Sequence, residues 1–148
     1  MKFRTCLIFA AGAVLALAGC VQIFAPAADP APESAEGAPP AGATTVEDFD
    51  TTTAAERAAA VSVSRGGREI GHTIASLGNP ATPGFWLKTP LVSVPTKGRI
   101  LYRGTGKSVA VDLIPTGAAT GSSRISLAAL RLLGVPLTGL PELIVYAG

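Results

Sequence analysis

Arg99-Ile100-Leu101-Tyr102-Arg103-Gly104-Thr105-Gly106-Lys107-Ser108-Val109-Ala110-Val111-Asp112 is the stretch on which the fold turns. Two β-rich runs, Arg99 to Arg103 and Ser108 onward to Ile114, flank Gly104-Thr105-Gly106-Lys107 and predict a hairpin with a four-residue loop. Further runs of this kind, Phe85-Trp86-Leu87, Leu91-Val92-Ser93-Val94 and Leu143 to Tyr146, are cut apart by Pro and Gly, the punctuation of short strands. One helix stands among them. Ser126 is its N-cap, Ile125 and Leu130 form a hydrophobic staple, Gly134 is the C′ residue and Pro136 lies just beyond. Leu127, Leu130 and either Leu133 or Leu132 then face a core. The body so delimited, residues 69–148, is small but sufficient for one closed β-barrel.

Upstream of the body, residues 51–68 read as a short helix and linker. Thr53 and Glu56 have capping-box spacing, alanines carry two turns to Val61, and Gly66-Gly67 ends the element. Val21 to Asp50 holds five prolines and eight alanines with almost no periodic apolar pattern. Such a segment cannot bury enough surface to offset its ordering entropy, so residues 20–50 are expected to be a disordered tether. Residues 1–19 read as a signal peptide. Lys2 and Arg4 are its positive end, and Leu7 to Ala18 is an apolar run too short to span a bilayer.

Of the two cysteines in 148 residues, Cys6 lies in the signal and only Cys20 remains, which excludes an internal disulfide framework and a cysteine-rich metal site. Charge is divided along the chain. Residues 21–56 carry seven acids and no base, whereas residues 57–148 carry ten Lys and Arg against Glu69, Asp112 and Glu142, a sum of +7. A cationic body favours polyanionic neighbours such as lipid headgroups or cell-wall carboxylates.

Leu17-Ala18-Gly19-Cys20 resembles the lipobox of bacterial lipoproteins. The resemblance implies cleavage before Cys20, a diacylglycerol on its sulfur and a bilayer anchor made of acyl chains such as palmitate, which hold a protein to a membrane without crossing it. Val21 in place of Asp points to the periplasmic face of a Gram-negative outer membrane, with the inner membrane as the lesser alternative. Gly106-Lys107-Ser108-Val109-Ala110-Val111, the helix string Ser123 to Gly134, and Pro141 to Tyr146 resemble the double-psi β-barrel of the rare lipoprotein A family. In that family a turn aspartate is the proposed acid/base for cleaving peptidoglycan glycan strands. Here the matching turn position is Leu113, with Asp112 one place early and no Arg-Gly behind it. A second likeness runs through Phe49 to Arg57, Ala75 to Gly78, Gly84 to Val92 and Leu137 to Pro141. These strings are similar to small alphaproteobacterial lipoproteins often labelled D-galactarate dehydratase. The label implies metal-dependent sugar-acid chemistry, for which this chain supplies no ligand set.

Few side chains remain for chemistry. Gly104 to Ser108 lacks the leading glycine of a phosphate loop, since position 101 is Leu101. His72, the one histidine, has no Gly-x-Ser-x-Gly elbow to serve and is a poor basis for a zinc site. Asp112 is the weak candidate for acid/base work, or else an ion-pair partner of Arg99, Arg103 or Arg124. Trp86, Lys88, Tyr102 and Arg103 are the candidate binding residues, combining flat apolar rings with donors for carboxylates, unless Phe85 and Trp86 fill the core.

The expectation is a mainly β protein, a small double-psi-like β-barrel with one short α-helix, preceded by a signal peptide and disordered tether. Its expected function is that of a non-catalytic, lipid-anchored module binding peptidoglycan or an envelope protein, with no cofactor, no metal and no nucleic acid. A peptidoglycan-cleaving enzyme using Asp112 is the alternative, and the dehydratase label is a third.

Overall fold

The computed structural model describes residues 37–62 and 66–148. The expected signal peptide, Cys20 and the tether as far as Glu36 lie outside them. Among the described residues the strands are β1 (Arg68–Leu77), β2 (Trp86–Thr89), β3 (Thr96–Tyr102), β4 (Lys107–Pro115), β5 (Ser123–Ile125) and β6 (Glu142–Ala147). They close into a six-stranded barrel in the order β1-β5-β2-β4-β3-β6. The helices are α1 (Val46–Phe49), α2 (Ala54–Val61) and α3 (Leu127–Leu133).

The order contains two interlocked crossings. β1 and β2 follow one another in sequence, yet β5 lies between them, parallel to β1 and antiparallel to β2. β4 and β5 likewise follow one another, and β2 lies between them, parallel to β4. Each arrangement is a ψ motif, and each supplies the strand that fills the other. The barrel is therefore of the double-psi type.

Alternation along the strands fills the interior. Val109, Val111 and Leu113 of β4 point inward, as do Leu87 of β2, Ile100 of β3 and Leu143 and Val145 of β6, all at most 4% exposed. A one-residue register slip would turn this whole set to solvent. Gly98 of β3 also faces the interior, where a Cβ would come within 2.5 Å of Leu113. The predicted hairpin is β3 and β4, with Leu101 opposite Ser108 and Tyr102 opposite Lys107.

Helix α3 forms where its caps require. Gly134 takes φ +74°, and Leu127, Leu130 and Leu133 are buried, with Leu132 only partly so. The Thr105 hydroxyl of the hairpin loop donates to the last-turn carbonyl of Leu133 at 2.7 Å. At the other end the Ser126 hydroxyl oxygen accepts from Ala129 N at 3.3 Å and from Trp86 N at 3.1 Å, while Ser126 N donates to Trp86 O at 3.0 Å. One fully buried side chain thus caps α3 and fastens it to the start of β2. In the interior the Thr73 and Ser123 hydroxyls hydrogen-bond at 2.7 Å, joining β1 to β5.

Three departures from expectation have physical causes. Leu91 to Val94 is a loop between Pro90 and Pro95, with Val94 62% exposed. β1 carries no apolar alternation because its inward row is Gly71, Thr73 and Ala75, while Ile74 points out at 54% exposure. Gly37 to Asp50, read from composition as tether, carries α1, closed by a capping box of Thr45 and Asp48. Arg131 of α3 holds this segment through Asp50 at 2.7 Å and Glu47 at 3.3 Å. The predicted capping box of α2 is present, with Thr53 and Glu56 in the expected roles.

Replacing Ser126 by Ala removes a cap, worth about 1 kcal/mol. It also leaves the buried N–H of Trp86 without its side-chain acceptor, at about 1–3 kcal/mol. Urea unfolding of Ser126→Ala is expected to show a loss of about 2–4 kcal/mol, against near-neutrality for exposed Ser122→Ala.

Candidate functional site

The cross-strand register that closes the barrel also sets its surface charges. Lys97 of β3 stands directly opposite Asp112 of β4, and the two side chains pair at 2.5 Å. They sit beside a groove of about 450 Å³ whose lining includes Ala110, Val111 and Gly98, with Ala59 and Ala60 from α2. Glu56 reaches the same groove because positions 56, 59 and 60 share one helix face. Its carboxylate is already engaged, accepting from Thr53 N at 2.6 Å and from the Thr53 hydroxyl at 2.8 Å. Those hydrogen bonds hold its pKa below the usual carboxylate range.

This arrangement binds charge better than it moves protons. A carboxyl that delivers a proton at neutral pH is usually buried among apolar groups, away from cations. Asp112 is half-exposed and holds an ammonium, and Glu56 is committed to a cap. The partner of Asp112 is Lys97; among the described residues neither Arg99, Arg103 nor Arg124 pairs with it. Leu113, the position that the sequence resemblance matches to a turn aspartate, is wholly buried in the core.

A second cleft, about 370 Å³, lies over the outer face of the paired strands β2 and β5, beside Gly78, Asn79 and Thr82. Lys88 and Arg124 lie directly opposite each other across these strands, both exposed and both facing the cleft. Like charges in this position destabilise a sheet. Among the described residues no carboxylate lies within ion-pair distance of either. Trp86 joins them, but not as an open ring. It is 6% exposed, its ring lies on Gly78 where a Cβ would come within 2.3 Å, and its Nε1 donates to Thr82 O at 3.4 Å. Its ring lies 5.5 Å from the Lys88 ammonium, a cation–π contact that positions the charge.

Tyr102 and Arg103, grouped with Trp86 and Lys88 by sequence, lie elsewhere. Trp86 is in register with Asp112 and Tyr102 with Lys107, roughly 17 Å apart along β4. The Tyr102 ring packs over Gly104 of the hairpin loop, and Arg103 is exposed on that loop. Arg124 is the member that sequence reasoning missed, because only the β2–β5 pairing brings it to Lys88. His72 sits on the surface between Glu69 at 3.2 Å and Glu142 at 3.4 Å, and among the described residues no serine hydroxyl bonds to it. No group of three or more His, Cys, Asp or Glu among these residues could hold a metal ion, and no helix among them is long and apolar enough to cross a membrane.

The described residues thus form a double-psi barrel in which one cleft holds its own Lys97–Asp112 ion pair and another sets Lys88 beside Arg124 with no carboxylate paired to either among those residues. Comparison with family models, with curated proteins and with solved structures yields no match.

The depressed pKa of Glu56 sets a pH dependence. A carboxylate titrating lower in the folded than in the unfolded state stabilises α2 above its unfolded value, about 4.3, and that contribution is lost as pH falls through the folded value. The protection of α2 amides, measured relative to their intrinsic exchange rates, is therefore expected to fall on acidification below about pH 4, and Glu56→Gln should remove most of this pH response.

Proposed function

We propose that this protein is a lipid-anchored envelope lipoprotein whose barrel is a non-catalytic module for an anionic cell-wall ligand, peptidoglycan being the chemistry that fits best. The observation that carries the reading is the Lys88–Arg124 pair. Two cations set opposite one another across adjacent strands lower stability unless something negative lies between them. Stem-peptide carboxylates supply that charge, and Arg donates two parallel hydrogen bonds to a carboxylate while Lys adds a point charge. The lipobox at Cys20 supplies the anchor, and the segment that follows supplies reach from the outer membrane toward the cell wall. The peptidoglycan-cleaving alternative through Asp112 finds no support in its half-exposed ion pair with Lys97.

Sedimentation of the full chain in detergent with purified sacculi tests the binding. Binding is expected to weaken with salt and to fall about tenfold or more in Lys88→Gln/Arg124→Gln, which should melt no lower than the parent. Equal binding by the variant overturns the reading, and release of soluble muropeptides that is lost in Asp112→Asn establishes the enzyme instead. Palmitate incorporation abolished by Cys20→Ala is the expected result for the anchor; an unlabelled parent chain removes it.

A further inference from the structure

On the opposite wall of the barrel, Arg99 occupies the outer row of β3, in register with Ala110 of β4 and Tyr146 of β6. An arginine there would ordinarily extend into water, yet this one is only 6% exposed. Its guanidinium carbon lies 4.0 Å from the centroid of the Tyr146 ring. Its Nε is buried with no hydrogen-bond partner. Among the described residues no carboxylate lies within ion-pair distance of it. The ring face offsets part of the charge but accepts none of the five N–H donors in their own plane.

A nearly buried cation whose Nε has no partner is costly, and the cost falls when an anion enters. Beside Arg99 is a cavity of about 310 Å³, lined also by Leu101, Gly106, Ser108 and Tyr146. That volume is at the lower end for small-molecule sites. Its lining contains one positive charge and no second cation, which suits a single negative charge. The flat guanidinium fork matches a carboxylate edge-on. Ser108 adds a hydroxyl able to donate a third hydrogen bond, while Leu101 and the Tyr146 ring offer an apolar wall for a short aliphatic group.

We propose that the Arg99–Tyr146 cavity is a binding subsite for a small monocarboxylate bearing a short aliphatic substituent, either a free short-chain acid or the C-terminal carboxylate of a peptide ending in a small residue. The subsite is separate from the Lys88–Arg124 cleft and does not depend on sacculus binding.

The test is thermal shift and calorimetric titration of the full chain in detergent with propionate, N-acetylalanine, N-acetylalanine amide and inorganic phosphate. Both carboxylates are expected to raise the melting temperature, the amide is not, and phosphate is expected to be weaker than either. Preference for N-acetylalanine over propionate points to a peptide terminus as the source, and the reverse points to a free acid. Arg99→Lys keeps the charge but loses the fork, and its affinity is expected to drop about tenfold or more. Arg99→Met removes an unpaired buried charge, so it should melt no lower than the parent and show no response to any carboxylate. The response should persist in Lys88→Gln/Arg124→Gln, which keeps this result independent of the other cleft. A response that survives in Arg99→Met, equal response to the amide, stronger response to phosphate, or no shift with either carboxylate overturns the proposal.

Discussion

The interlocked strands depend on the side chain of Ser126. The chain leaves β5, turns through this residue and enters α3, and at that point β2 must also begin if it is to lie between β4 and β5. A buried hydroxyl oxygen that accepts N–H groups from both β2 and α3 fixes the two elements to each other within one hydrogen-bond length. Without it the three-residue β5 has little to hold its place, since so short a strand offers few ladder bonds to β1 and β2. The Thr73–Ser123 hydrogen bond inside the barrel serves the same end from the other side. Three buried hydroxyls, each hydrogen-bonded, secure a crossing that hydrophobic burial alone does not orient, because burial has no direction.

How much of this was legible follows from which signals are local. The hairpin and α3 could be read because a four-residue loop, an N-cap serine and a C′ glycine act within a few residues of themselves. Strand β1 could not, because its inward row is Gly, Thr and Ala and its exposed row includes Ile74, the reverse of the usual pattern. The small inward residues leave room for the large side chains of the facing strands, a fact that exists only in the closed barrel. Residues 37–50 were illegible for a related reason. Their composition is that of a tether, and what orders α1 is a pair of carboxylates meeting Arg131, more than eighty positions away in sequence.

The candidate site divides in the same manner. Trp86 and Lys88 are two residues apart on a strand, so their neighbourhood was predictable; Arg124 joins them only through antiparallel pairing of β2 with β5. Tyr102 and Arg103 offered the same chemistry and were grouped with them, but period-two geometry and strand direction send them to the hairpin end. Asp112 shows the limit from the other side. Its type suggested acid chemistry, and its register opposite Lys97 makes it half of a cross-strand pair. Composition names the parts, and pairing decides which of them meet.

Strand β6 touches β1 on one side and β3 on the other, and it is the last of the six in the chain. No earlier portion of the polypeptide can therefore complete the cylinder, and β1 keeps an unsatisfied edge until Leu143 to Tyr146 have been made and freed. Such an object stays threadable during synthesis and any passage through a narrow channel, then locks when its final segment arrives. The same feature makes trimming of those few residues disproportionately harmful, because it reopens two seams at once and bares strand edges that recruit other chains.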